Sequence, residues 1–363
     1  MTTLMQASGQ WSSRPADQRF SSLETLAENV AKVRARAHES HNVPYKALRV
    51  EAAGDDIKLI GPANVPASLT HWSFGQLAGR VGAPANYLRT LSPTLSAQNL
   101  NYKLARIEDH IGDDLDDRAA KLLLDVNGSF TVRALTGEGY SRIWNADIVS
   151  RLQALVDQNP QWQPAPAAFD GSRGLYASDH DLFCFMVDNE RRIFEKAPGG
   201  GLARGFFVAN SEEGDKAFWM LTFFYEFVCG NHRVWGASGI RELNIRHVGS
   251  ADDRAFEQLT VELKRYAESS ASEDEAKIQA AMNFKIADTK EAVLDAVFGL
   301  RIGSRKMLLA GINKADEHAD WYGSPLTAWG LAGGLTEIAR DVVHADQRVV
   351  AERAAGRVMQ MAF

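Results

Sequence analysis

An α+β fold, with a central mixed sheet of hairpin-connected strands packed on helices and a helical lobe at each end, follows from three features of the 363-residue chain. Apolar residues recur at helical spacing near both ends, at Leu23, Leu26, Val30 and Val33 and again at Phe256, Leu259, Leu263 and Tyr266. The middle instead holds short β-branched and aromatic runs divided by turn residues. Within Lys121 to Leu135, Asn127-Gly128 sits between two such runs, which is the strongest short hairpin signal a sequence offers.

The elements follow in order. Residues 1–20 are polar and expected to be flexible. Residues 21–106 form a mainly helical lobe with one hairpin. Ser22 caps a helix reaching about Ser40, because its hydroxyl can accept an otherwise unpaired backbone N–H. Tyr45–Glu51 and Ile57–Ile60 flank Gly54-Asp55-Asp56 as a hairpin, and Thr70 opens a helical region to about Arg106, broken at Gly82, Pro84 and Pro93.

Residues 107–250 form a central α/β body. It holds an acidic loop at Asp109–Asp117, the Asn127-Gly128 hairpin, and a helix capped by Asn145 with Ile148, Leu152, Leu155 and Val156 on one face. Strands are expected at Trp162–Phe169, Gly174–Val187 and Leu202–Asn210, with a turn at Asn189–Arg192 and a loop at Pro198–Gly201. Ala217–Cys229 is apolar throughout, so periodicity does not separate a buried helix from a buried strand; it is read as a helix followed by a strand at Arg233–Ala237. Residues 251–363 form a helical lobe closing with a helix at Val342–Met361.

Composition excludes several classes of function. No apolar run reaches the ~18 to 20 residues that span a bilayer, so no membrane partner is expected. The N-terminus lacks a basic segment followed by an apolar one. The only cysteines, Cys184 and Cys229, lie in apolar runs, which suits a reducing, cytoplasmic setting. The net charge of −6 argues against a uniformly basic surface. The acids are concentrated, however: residues 107–125 hold seven acids and two bases, and residues 251–300 eleven and six. What is left of the chain is therefore net basic, which leaves room for a local basic face.

Three compact motifs occupy the stretch from Leu202 to Gly249: Gly205-Phe-Phe-Val-Ala-Asn-Ser-Glu212, Val228-Cys-Gly-Asn-His-Arg-Val-Trp-Gly236 and Arg246-His-Val-Gly249. Together with Thr70-His-Trp-Ser-Phe-Gly-Gln-Leu-Ala78, Gly82, Pro84, Tyr87-Leu88, Arg133-Ala-Leu-Thr136, Tyr140-Ser-Arg142 and Thr327–Asp341, they resemble the prokaryotic phage/plasmid-like protein family. That family is a domain of unknown function found on phages, plasmids and integrated elements. The resemblance implies an association with DNA metabolism and supplies no catalytic assignment.

The candidate chemistry follows from residue types. Single-stranded nucleic-acid binders combine a cationic groove with aromatic platforms. The central body offers Arg133, Arg142, Arg204, Lys216, Arg233, Arg246 and His247 for phosphates, interleaved with Tyr140, Tyr176, Phe206, Trp219 and Trp235. Asn210, Ser211 and Asn231 are expected to order the loops. This is the leading expectation: a non-enzymatic nucleic-acid-binding protein acting in recombination, annealing or replication, which forms a homo-oligomer so that a short basic strip is repeated.

One alternative is a metal-assisted enzyme centred on Cys229, His232 and His247 with Asp181, though Cys229-Gly-Asn-His232 is a single knuckle without a second pair. Another is an interaction protein whose acidic helices bind a host or phage protein. Gly199-Gly-Gly201 lacks the Lys-Ser/Thr of a phosphate loop, and no cofactor is expected. Phe74–Leu88 has the rhythm of a helix-turn-helix, but its second helix offers only Asn86 and Arg89 to a base edge.

Overall fold

The computed structural model describes residues 15–107, 118–165, 174–193, 202–226, 232–233, 243–268, 272–341, 351 and 354–362. The protein is α+β and built on two sheets. Strand β1 (Arg19–Phe20) leads into helix α1 (Leu23–Arg36). The start of α1 is fixed by a reciprocal cap: the Thr25 N–H donates to Ser22 Oγ at 3.2 Å and the Ser22 N–H to Thr25 Oγ1 at 3.3 Å. The helix ends at Arg36, short of the expected Ser40. The next residues form strand β2 (Ala37–Pro44), which pairs with a hairpin some 80 residues further on.

Strands β3 (Arg49–Ala53), β4 (Asp56–Ile60) and β5 (Pro66–Leu69) follow, with Gly54 at φ 63° turning the first hairpin. Three helices come next: α2 (His71–Arg80), α3 (Ala85–Leu88) and α4 (Pro93–Leu104). Gly82, at φ 64°, separates α2 from α3. Strands β6 (Ala119–Val126) and β7 (Phe130–Gly137) are the predicted hairpin, with Gly128 at φ 70°.

These strands make a six-stranded sheet in the order β2-β6-β7-β5-β4-β3, antiparallel except for the β5–β7 pair. Phe74, Leu77, Leu88, Leu100 and Leu104 on α2–α4 pack over Val50, Leu59, Val132 and Leu135. The sheet thus runs from Ala37 to Gly137 and straddles the lobe boundary expected at residues 106 and 107. Residues 21–106 supply helices α1–α4 and strands β2–β5, and the last three of these helices cover the sheet.

The second sheet is fed by helix α5 (Asn145–Gln158) and strands β8 (Trp162–Pro164), β9 (Leu175–Ala177), β10 (Leu182–Ile193), β11 (Leu202–Asn210), β12 (Phe218–Glu226), β13 (His232–Arg233) and β14 (Leu243–Ile245). Its order is β1-β9-β10-β11-β12-β13, with β8 pairing β10 and β14 pairing β12. The turn expected at Asn189–Arg192 is instead a bulge, and β10 continues to Ile193. The expected helix at Ala217–Cys229 is strand β12, in register with β11 from Leu202↔Glu226 to Ala209↔Trp219.

Both faces of this sheet are covered. Leu202, Phe206 and Val208 join the main core, while Ala203, Phe207 and Ala209 join an aromatic cluster with Tyr176, Phe183, Phe185 and Trp219. A strand buried on both faces loses its period-two alternation, which is why the sequence alone did not distinguish β12 from a helix.

The chain then turns helical: α6 (Ala251–Glu268), α7 (Ser272–Asn283), α8 (Lys290–Gly299), α9 (Arg305–Glu317), α10 (Ala319–Tyr322) and α11 (Ala328–Asp341). Of the closing helix expected at Val342–Met361, residues 354–359 are helical, and 342–350 with 352–353 lie outside the described residues. Among the described residues, no helix is long and apolar enough to cross a membrane.

Candidate functional site

The motif residues of the central body converge where the two sheets meet. The chain leaves β11 through Asn210-Ser211-Glu212-Glu213, and all four are buried. Arg133, on β7 of the other sheet and 3% exposed, answers the two carboxylates: its Nη2 lies 3.2 Å from Glu212 Oε2 and its Nε 3.2 Å from Glu213 Oε1. A third donation, from Nη2 to the Asp179 carbonyl, is 2.9 Å long. Burial weakens the guanidinium charge, but the neighbouring carboxylates outweigh it, so Arg133 stays charged.

The other oxygen of Glu212 accepts the Asn145 N–H at 2.8 Å and so satisfies the first turn of α5. The expected cap by Asn145 is therefore corrected: Trp144 occupies the cap position and makes no side-chain cap bond. Asn145 uses its Oδ1 to accept from Asn210 Nδ2. The Glu213 carbonyl accepts from Trp72 Nε1 at 3.0 Å and Gln76 Nε2 at 2.7 Å, which ties α2 to the same point. Its Oε2 lies 2.7 Å from Nδ1 of the half-exposed His180, which holds the imidazole above its ordinary pKa. Ser211 Oγ accepts the N–H groups of Glu213 and Asp215, and the Ser211 carbonyl accepts from Tyr140 Oη at 3.0 Å.

Beside this cluster, His247 stacks on Tyr140 with ring centroids 4.9 Å apart and an interplanar angle of 3°. Arg142 lies 5.1 Å from the Tyr140 ring and 5.6 Å from that of Trp144, with its Nε 2.9 Å from Glu39 Oε1. His247 Nδ1 is 3.1 Å from the Ser141 carbonyl and 3.4 Å from the Ile143 N–H. Burial, with Arg142 nearby, depresses its pKa to about 4, so the ring is neutral at physiological pH.

These contacts correct the expectation of a solvent-facing cationic strip. Arg133, Arg142, Arg204 and His247 are all at most 5% exposed. Arg204 lies over the Tyr266 ring at 4.0 Å, and Lys216 is held by Asp181 at 2.9 Å and Asp215 at 2.5 Å. Their charges are used internally, where an unpaired one would cost far more than any surface pair returns. Tyr176, Phe206 and Trp219 are core rings and not platforms. Arg246 is exposed. Arg233 lies on β13, with its side chain outside the described residues, as are Cys229, Asn231, Trp235 and the His232 side chain. Among the described residues no group of His, Cys, Asp and Glu is arranged to hold a metal ion.

A different surface is rich in bases. Residues 57–107 contain no Asp or Glu, and they contain five Lys or Arg. The helical layer α2–α4 displays four of these bases, with Arg89 and Arg106 exposed and Arg80 and Lys103 half-buried. Arg89 donates to the His71 carbonyl at 2.8 Å and to Asn86 Oδ1 at 3.2 Å, and Arg106 lies over the Tyr102 ring at 4.0 Å. None of these partners is a carboxylate. Tyr87 is 57% and Tyr102 59% exposed, high values for aromatic side chains, and Leu95 is also exposed. The sequence signal for this face is its longest acid-free run.

Residues 134–356 match the model of a family described as a domain of unknown function (DUF932). No curated protein and no solved structure matches the chain.

Proposed function

Because the chain belongs to the DUF932 family, whose domain has no assigned function, its own surface has to supply a reading, and we propose that the protein binds nucleic acid without chemistry of its own. The observation that carries this reading is the acid-free face of α2–α4. Its helices carry no carboxylate, and its two exposed bases, Arg89 and Arg106, are held only by carbonyl, amide and ring groups. A polyanion is the ligand such a face attracts, because each phosphate neutralised releases a counterion. The resemblance to phage- and plasmid-borne proteins suggests a mobile-element setting, with recombination, annealing or replication as the process and a homo-oligomer as the working form. Among the described bases of the motif-rich centre Arg246 is exposed, and it extends the reading to a second contact region.

The test is a charge reversal. Arg89→Glu with Arg106→Glu changes two exposed side chains outside the buried core. Lys285→Glu with Lys290→Glu makes the same change in net charge on the C-terminal helical lobe. In fluorescence anisotropy with labelled DNA, the first pair weakens binding at least ~10-fold and the second leaves it near wild type. Equal binding by all three proteins, or none by wild type at micromolar concentration, removes the proposal.

A further inference from the structure

The α2–α4 face carries more than charge, and its geometry bears on which form of nucleic acid it takes. This step rests on the reading just given. Two aromatic side chains stand in the basic layer, each more than half exposed: Tyr87 on α3 and Tyr102 on α4. An exposed ring beside a cation is the pairing that sequence-tolerant single-strand binders use. Along α4 the exposed positions Leu95, Asn99 and Tyr102 fall on a single stripe, spaced by three or four residues and extending ~10 Å along the axis, and Arg106 follows in the turn beyond it. The Arg106 guanidinium already lies over the Tyr102 ring, so aromatic face and cation form one flat unit.

The same elements are poorly built to read a duplex. A helix that reads base edges has to lie in the major groove and present several side chains along it. Here the second helix of the α2–α3 pair is four residues long, one turn, and Arg89 beyond it is bonded back to the His71 carbonyl and Asn86. What the face does offer is a π-surface that any unstacked base can use, beside cations for the adjoining phosphates. We infer that the ligand of this face is a single strand, whose bases stack on Tyr102 and Tyr87 while the exposed Arg89 and Arg106 take its phosphates. Recognition of this kind carries no base code, so the face binds single strands of any sequence, DNA and RNA alike.

The experiment compares Tyr87→Ala/Tyr102→Ala with Tyr87→Phe/Tyr102→Phe, using an oligothymidine, a mixed-sequence single strand and a blunt duplex of equal length at one salt concentration. Both rings are exposed, and thermal melting of each variant verifies that the fold is kept. The alanine pair is expected to lose at least ~10-fold in affinity for both single strands and to leave duplex binding unchanged, while the phenylalanine pair binds as wild type. An alanine pair that keeps its single-strand affinity, or that loses single strand and duplex equally, overturns the stacking inference. In the first case, loss of binding by the Arg89→Glu/Arg106→Glu protein would still uphold a backbone-only nucleic-acid face. If that charge reversal also leaves binding intact, the reading of the preceding section falls instead.

Discussion

His247 and His180 stand in the same junction and are pulled in opposite directions by it. Burial under Tyr140, together with Arg142, lowers His247 to about 4 from an ordinary value of 6.5. The unfolded chain therefore binds this proton more tightly than the folded one. The stability gained is present above pH 6.5 and is lost as pH falls from 6.5 towards 4, on the order of 3 kcal/mol in all. For His180 the carboxylate of Glu213, 2.7 Å away, raises the folded value, so its contribution is present below pH 6.5 and is lost as pH rises through the raised value. Urea midpoints across pH separate the two. His247→Phe keeps a ring on Tyr140 and is expected to flatten the loss between pH 6.5 and 4, at a constant cost from the forfeited Nδ1 contacts. An unchanged acid slope in that variant would show that another group titrates there. His180→Gln leaves the acid limb alone and flattens the fall above pH 6.5.

Between elements, α9 and α11 pack closely in the C-terminal lobe at Gly311 and Gly334. A Cβ at Gly334 would stand 2.0 Å from the Gly311 carbonyl oxygen and 2.9 Å from Ala315 Cβ, so backbone would have to move. Gly334→Ala is therefore expected to destabilise by ~1–3 kcal/mol or more. Gly79, on α2 with nothing within 4 Å of its added Cβ, is the counterpart. Gly79→Ala is expected to stabilise by ~0.5–1 kcal/mol through helix propensity alone. Thermal melts of the two variants read both signs, and a destabilising Gly79→Ala would mean that α2 is not the regular helix described. What the sequence disclosed about elements divides along similar lines. Gly54, Asn127-Gly128 and the Ser22 cap are local devices, and each was legible because its physics lies within a few residues. Strand β12 was not, because burial on both faces erased the alternation that marks a strand. The cap on α5 was misassigned because its acceptor, Glu212, lies 67 residues away. Arg133 was taken for a surface base for the same reason: its partners Glu212 and Glu213 come from another sheet.

At the scale of the whole molecule, the distribution of charge matters more than the net value of −6. Acids are enriched in residues 107–125 and 251–300, Arg133, Arg142 and Arg204 of the centre are paired or stacked in the interior, and the run from 57 to 107 holds no acid. A protein so divided repels a polyanion over much of its surface and attracts it over one face, which orients the encounter as well as driving it. The size of that face sets a limit on the salt dependence. A single strand releases about 0.7 counterions per phosphate neutralised, so four bases give a slope of log affinity against log salt no steeper than about −3. Had the seven cations expected from the motif-rich centre been the phosphate contacts instead, the slope would be about −5. Binding isotherms to a short oligothymidine from low to high salt decide between the two. A slope no steeper than about −3 that drops by about 0.7 for each exposed arginine removed assigns the contacts to α2–α4. A slope near −5 would require the buried arginines to emerge on binding, and with them an opening of the junction between the sheets.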